Sequence, residues 1–210
     1  MRMKKIIFFA VAIFLLSLVS ASDAVFIATN SVYSFSDYIS PQEKAKSVGE
    51  LEQMMNYNQE KINIAINQIS ENKKIAYENQ KEIPQAVYCF LSMESLLPAV
   101  GILVSDVARQ LNNSFQITTS AEENILSRSK IAYFLVGGDF NSANEIESEI
   151  NSNKERISVL RELNLRSNGS QEVKNIFEEQ IKNIEDEQAR LQEIVNSEKS
   201  TKGLIGWVWK

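Results

Sequence analysis

Between Val48 and Ile83, residues that suit a helix seam return at alternating intervals of three and four. The series is Val48, Leu51, Met55, Asn58, Ile62, Ala65, Ile69, Asn72, Ala76, Asn79 and Ile83. A 3–4 rhythm sustained over five heptads keeps one stripe on one side of an α-helix, and no strand can reproduce it. The chain also has only 7 glycines and 3 prolines in 210 residues. Sheets and irregular loops need more turn-forming residues than that, so a few long helices are expected. Three of the eleven stripe positions are asparagine. Buried amides weaken such a seam but select its register.

Helix-start signals divide the rest of the chain. Ser40-Pro41-Gln42-Glu43 combines a capping hydroxyl, a proline suited to the first turn and a glutamate three residues on. It predicts a long helix over 41–82, about 60 Å in length. Pro84 restarts the helix for an apolar segment over 84–111. In that segment Phe90, Met93, Leu97, Val100, Val104, Val107 and Leu111 hold one face. Residues 112–119, NNSFQITT, read as a loop. Ser120-Ala121-Glu122-Glu123 opens a short helix over 120–136, which Gly137-Gly138 ends. Ser142 and Glu145 start another helix. Asn168-Gly169 breaks it and Ser170 caps the next, so 142–198 reads as a helical hairpin. Its outer faces are dense in charge, as solvated faces are.

The N-terminus reads MRMKKIIFFAVAIFLLSLVSASD. A basic start, an apolar run of 14 residues from Ile6 to Val19, and small residues at Val19-Ser20-Ala21 are the layout of a cleavable signal peptide over 1–21. Loss of Arg2, Lys4 and Lys5 from 22 basic residues leaves 19 against 27 acidic ones, a net charge of −8. Such a surface repels phosphate backbones, so nucleic acid is not an expected partner. Residues 22–40 read as an extended arm. The expected fold class is therefore all-α: an elongated antiparallel helical bundle or coiled coil of about five helices over 41–200, after a signal peptide.

Residues 86–104 are apolar at 14 of 19 positions. Glu94 and Pro98 interrupt them, and the one-sided rhythm continues past Asp106 and Arg109. A helix surrounded by lipid has no reason to keep one face, so the central position of a bundle is expected. Pro98 should kink the helix, and Pro98 with Gly101 forms a candidate hinge. A membrane-active protein that inserts 86–104 is the alternative. A sensor-type bundle with a pocket near Tyr88, Glu94 and Pro98 is a third reading.

The chemistry available is narrow. There is no histidine and one cysteine, Cys89, whose apolar neighbours point to a buried, inert thiol. This composition excludes histidine-based nucleophile relays, histidine- or thiolate-held zinc, histidine-ligated haem and iron–sulfur clusters. No phosphate-cradling glycine loop is present. No enzyme activity, no cofactor and no metal is expected. GGDFNSANE, residues 137–145, has Asp139 and Asn141 at calcium-ligand spacing. Ala143, Asn144 and Ile150 then stand where a ligand, a glycine and a bidentate glutamate belong. Asn112-Asn113-Ser114 and Asn168-Gly169-Ser170 fit the glycosylation pattern, at a frequency chance would produce.

The most informative stretch is the last, KGLIGWVWK. Residues 201–210 form an apolar tail that holds the chain's only tryptophans. Leu204, Ile205, Trp207, Val208 and Trp209 are the candidate contact residues. Ten residues cannot span a bilayer as a helix. The tail can fold back on the bundle, lie in a membrane interface, or be held by a protein partner. The function expected is that of an exported, non-enzymatic structural or interaction protein of the cell envelope. A protein partner or self-association is expected, and a membrane surface is the other candidate.

Overall fold

The structure, a computed structural model, describes residues 39–204. The chain divides into two units, Met1–Asp37 and Tyr38–Lys210, and all described residues belong to the second. The expected signal peptide, residues 22–38 of the expected arm and residues 205–210 of the tail lie outside them.

The described chain is all-α. Its helices are α1 (Val48–Gln68), α2 (Glu71–Asn79), α3 (Glu82–Ser92), α4 (Gly101–Ser127), α5 (Lys130–Val136), α6 (Phe140–Arg166) and α7 (Gln171–Ser200), with a 3-10 turn at Met93–Leu96. Seven helices stand where about five were expected, because two expected helices are divided. α6 and α7 pair as the expected hairpin. α4 packs on α6 and, on its other sides, on α3 and α2; α3 also packs on α7 and α1.

The long first helix does not begin at Ser40. Residues 41–47 are not helical. The Ala45 amide donates to the Ser92 carbonyl at 2.9 Å, and Lys44 Nζ donates to the Leu91 carbonyl at 2.7 Å. The segment thus satisfies carbonyls that α3 leaves open at its C-terminus. α1 starts one heptad later. Ser47 Oγ accepts from the Glu50 amide, and Glu50 Oε2 accepts from the Lys46 amide. Ser47 is the N-cap in use, and Glu50 reaches back to the amide one residue before it, a variant of the capping box.

The stripe is broken a second time at Ile69, where the backbone turns extended (ψ 159°). A straight helix drifts about 20° per heptad from a 3.5-residue seam. This chain interrupts the helix rather than supercoiling it, so α1 follows α3 while α2 follows α4.

The apolar segment is likewise two helices packed together, not one kinked helix. α3 ends at Ser92, and the 3-10 turn and residues 97–100 lead into α4. Residues 83–93 are all buried. Phe90 meets Phe177 of α7 with ring centroids 4.9 Å apart. Each such fully buried apolar side chain contributes about 1.5–3 kcal/mol. No described helix is long and apolar enough to cross a membrane. Cys89 lies in this core, and burial pushes its thiol well above the ordinary range. It is the inert core thiol expected.

α4 runs straight through the expected loop 112–119 and past the expected start at Ser120. Leu111, Phe115, Thr118, Glu122 and Ile125 continue the buried face. The helix expected over 120–136 is therefore the last turns of α4 followed by α5. At one end the core is a three-helix junction of Ala121 and Ile125, Ile146 and Ile150, Leu191 and Val195.

Candidate functional site

The C-terminal end of the bundle is closed by a clasp of close-approach glycines. Gly137 ends α5 with φ 94°, a left-handed conformation that favours glycine. It forms an isolated antiparallel bridge with Lys202, and the Gly138 amide donates to the Thr201 carbonyl at 3.0 Å. A Cβ on Gly138 would come within 2.0 Å of the Glu198 carbonyl oxygen. One on Gly203 would come within 2.5 Å of the Leu135 carbonyl oxygen. Glu198, at the end of α7, is buried and accepts from the Tyr133 hydroxyl at 2.8 Å and from the Asp139 amide at 2.7 Å. Burial, and then the Glu198 carboxylate, push the Tyr133 phenol up to about 12. The start of the tail is therefore held against the C-terminus of α5 by backbone contacts.

α5 itself is unlike every other helix here. Ser129 caps it by accepting from the Ala132 amide at 3.2 Å, yet it buries no residue. Ile131 is 71% exposed, Phe134 64% and Val136 59%. Leu135, and Leu126 and Phe140 on the flanking helices, are also exposed. Leu204, the one candidate tail residue within the described part, is 54% exposed and follows directly from the clasp. Ile205, Trp207, Val208 and Trp209 lie outside the described residues. A seven-residue helix with an open apolar side is not stabilised by a core, so the clasp and its flanking helices hold it in place. Arg128 lies over the Tyr133 ring at 5.3 Å, and Lys130 and Lys202 are exposed beside the apolar side chains.

A second cluster sits inside the bundle, and no sequence signal marked it. Glu122, expected in a capping box, is 1% exposed in mid-helix. It accepts from Asn79 Nδ2 and Gln80 Nε2, each at 2.7 Å, and from both terminal nitrogens of Arg190 at 2.8 and 2.7 Å. Arg190 also binds Glu187, and Gln80 accepts from Thr118 at 2.8 Å. Burial raises Glu187 above the ordinary carboxylate value against the pull of Arg190, with Glu122 and Glu82 adding like-charge repulsion. Burial alone would lower Arg190; its bonds to Glu187 and Glu122 outweigh that and raise it. Both oxygens of Glu122 are occupied by donors. The cluster ties α2, α4 and α7 in register.

The other expected features resolve separately. Pro98 is exposed in the break before α4, and it follows the end of α3 rather than kinking a helix. Ala99 beside it has φ 72°, and a Cβ on Gly101 would meet the Glu94 carbonyl oxygen at 2.1 Å. Glu94 is taken up by Ser105 Oγ at 2.5 Å and Lys44 Nζ at 3.1 Å, and these bonds, Ser105 first, hold its carboxyl below the ordinary range. Tyr88 is buried. Asp139 is the N-cap of α6, with Oδ1 accepting from the Ser142 amide and Oδ2 from its hydroxyl. No cluster that could hold a metal occurs among the described residues. Asn112 falls inside α4, not in a loop, and Ser114 is buried against Asn153 at 2.8 Å. Asn168 is exposed in the α6–α7 turn.

A shallow groove of about 360 Å³ runs between α6 and α7, floored by Ile150 and Ile157 with Lys154 and Glu185 at its rim. The chain matches no family model, and no curated protein or solved structure is found similar to it.

Proposed function

We propose that the chain is an exported, non-enzymatic structural or interaction protein of the cell envelope, working as a rigid helical body with one adhesive end. The observation that carries this reading is the placement of α5 beside the tail. Ile131, Phe134 and Val136 open to the outside, exposed Leu204 follows the clasp at the same end, and the two tryptophans come next in the sequence. An exposed apolar patch of this kind marks a contact surface. The first 21 residues support export, and the missing histidine and lone buried cysteine support a non-enzymatic role. The expected coiled-coil stripe of α1 and α2 is largely spent inside the chain. Any coiled-coil face used with a partner therefore lies on the α6–α7 hairpin, at the groove floored by Ile150 and Ile157.

Cell fractionation tests the adhesive end. The full chain is expected with the envelope fraction, and a chain ended after Gly203 with Phe134→Ser is expected in the soluble extracytoplasmic fraction. Equal partitioning of the two removes this end from the function.

A further inference from the structure

We propose that residues 39–68 form an exchangeable segment: the break at Ile69 and Ser70 closes into one continuous helix, and α1 then seats on α3 of a second copy of the chain, which returns its own segment. The product is a two-fold dimer. This goes beyond the adhesive end and draws nothing from it.

The break has no local cause. From Glu50 to Ile83 the sequence holds neither glycine nor proline. Ile69 and Ser70 are both extended, with ψ of 159° and 147°. Ser70 stands at the N-cap of α2, yet its hydroxyl makes no capping bond. Closing the break returns to the helix the last carbonyls of α1 and the first amides of α2, groups that helix ends leave open. The 3–4 stripe also runs through the break without a change of register, from Ile62 and Ala65 to Ile69 and Ala76. Packing is what opens the helix: α1 lies on α3 while α2 lies on α4.

The two sides of the break are held differently. α2 is fixed to α4 by Asn79 and Gln80 at Glu122 and by Lys73 at Glu123. A continuous helix from Val48 to Asn79 keeps that attachment, runs about 48 Å, and carries α1 off its own α3. That uncovers Leu51, Ile62 and Ile66, which are fully buried. It also parts Asn58 from Gln85, whose amides bond at 3.2 Å, and Gln85 from the Met55 carbonyl, to which it donates at 2.9 Å.

These groups select the occupant. An unrelated apolar partner would cover the leucine and isoleucines and leave the two amides unpaired. A second copy supplies every contact again: Gln85 for Asn58, the Leu91 and Ser92 carbonyls for Lys44 and Ala45, and Glu94 for Lys44 at 3.1 Å. The exchange uses no free face. The stripe of α1 stays covered, by the second copy in place of its own chain. Two breaks close per dimer, against the cost of associating two chains.

A light and an isotopically heavy preparation of the chain from Ser22 on are mixed in urea, refolded together and concentrated. Light scattering after size exclusion is expected to show a slowly dissociating dimer whose fraction rises with concentration. Carbodiimide then couples Lys44 to Glu94 where they touch. In the dimer the coupled peptides should join light to heavy chains; the monomer, where the pair joins a chain to itself, is the control. Ser70→Pro fits the broken form, because Ser70 has φ −61° and the residue before it is extended. It bars the continuous helix, so the protein should stay monomeric at every concentration with its melting temperature kept or raised. Ser70→Ala should tighten dimerisation about fivefold. A dimer whose coupled Lys44–Glu94 peptides are never of mixed isotope overturns the exchange. So does a Ser70→Pro chain that dimerises like the wild type, or a wild type that remains monomeric at millimolar concentration.

Discussion

Two buried carboxylates show how single residues in this fold carry opposite demands. Glu122 is matched by four donors, and removing the strongest of them leaves a charge with no water to solvate it. Arg190→Met should therefore cost about 3–5 kcal/mol in urea unfolding, and adding Glu122→Gln should recover part of that loss. Glu187 is held in the opposite way, its carboxyl raised chiefly by burial. A carboxyl raised on folding contributes stability that is complete below its unfolded value, near 4.5. That contribution is lost as pH rises through the folded value. Urea midpoints of Glu187→Gln should therefore gain on those of the wild type as pH increases from that point. Tyr133 offers a direct titration. One phenol should ionise near 12 by ultraviolet absorbance, and Glu198→Gln should bring it back towards the ordinary value. The tyrosine's share of stability is complete below 10.0 and is lost as pH rises through about 12.

Among the elements, α4 is the one whose identity packing decided. NNSFQITT has turn-forming and β-branched residues, and local propensity alone favours a loop there. Its buried positions are instead paired across the bundle: Ser114 with Asn153, Thr118 with Gln80, and Phe115 edge-on to Tyr77 at 5.9 Å. Those partners are 38 or more residues away, so nothing in the stretch itself announces them. A substitution at the exposed Asn113 distinguishes helix from loop. Asn113→Ala should raise stability by about 0.5 kcal/mol in mid-helix, by thermal or urea unfolding. α5 depends in turn on the clasp. Gly138→Ala puts a Cβ against the Glu198 carbonyl and should cost about 1–3 kcal/mol, read as a lowered melting temperature.

For the molecule as a whole, the last described hydrogen-bonded contacts of the C-terminus lie between Gly137–Gly138 and Thr201–Lys202, with Gly203 closely packed against Leu135. On the function proposed above, a chain ended after Gly203 should keep the helical signal and melting temperature of the full protein while losing all tryptophan emission. A chain ended after Ser200 loses the Thr201 and Lys202 contacts. It should melt about 2–4 °C lower, in line with the loss of about 1 kcal/mol. Together the two truncations separate the contribution of residues 201–203, which close the bundle, from that of residues 204–210.

The α6–α7 hairpin was legible from residues alone, because Asn168-Gly169 and the Ser170 cap act within a few residues of each other. So were the all-α class and the buried state of Cys89. These follow from periodicity, scarce glycine and local capping, which are short-range effects. The first helix start, the break at Ile69, the end of α3 at Ser92 and the continuity of α4 were not legible. Each depends on which remote group satisfies a backbone or polar atom. Lys44 and Ala45 at the end of α3 decide the first, and Arg190, Asn79 and Gln80 around Glu122 help decide the last. The tryptophans of the tail lie outside the described residues, so the proposal that it is a contact segment still rests on the sequence. Only the tertiary structure set the start of the tail, residues 201–203, beside an open apolar helix, because two glycines at 137–138 let two backbones approach where no Cβ would fit.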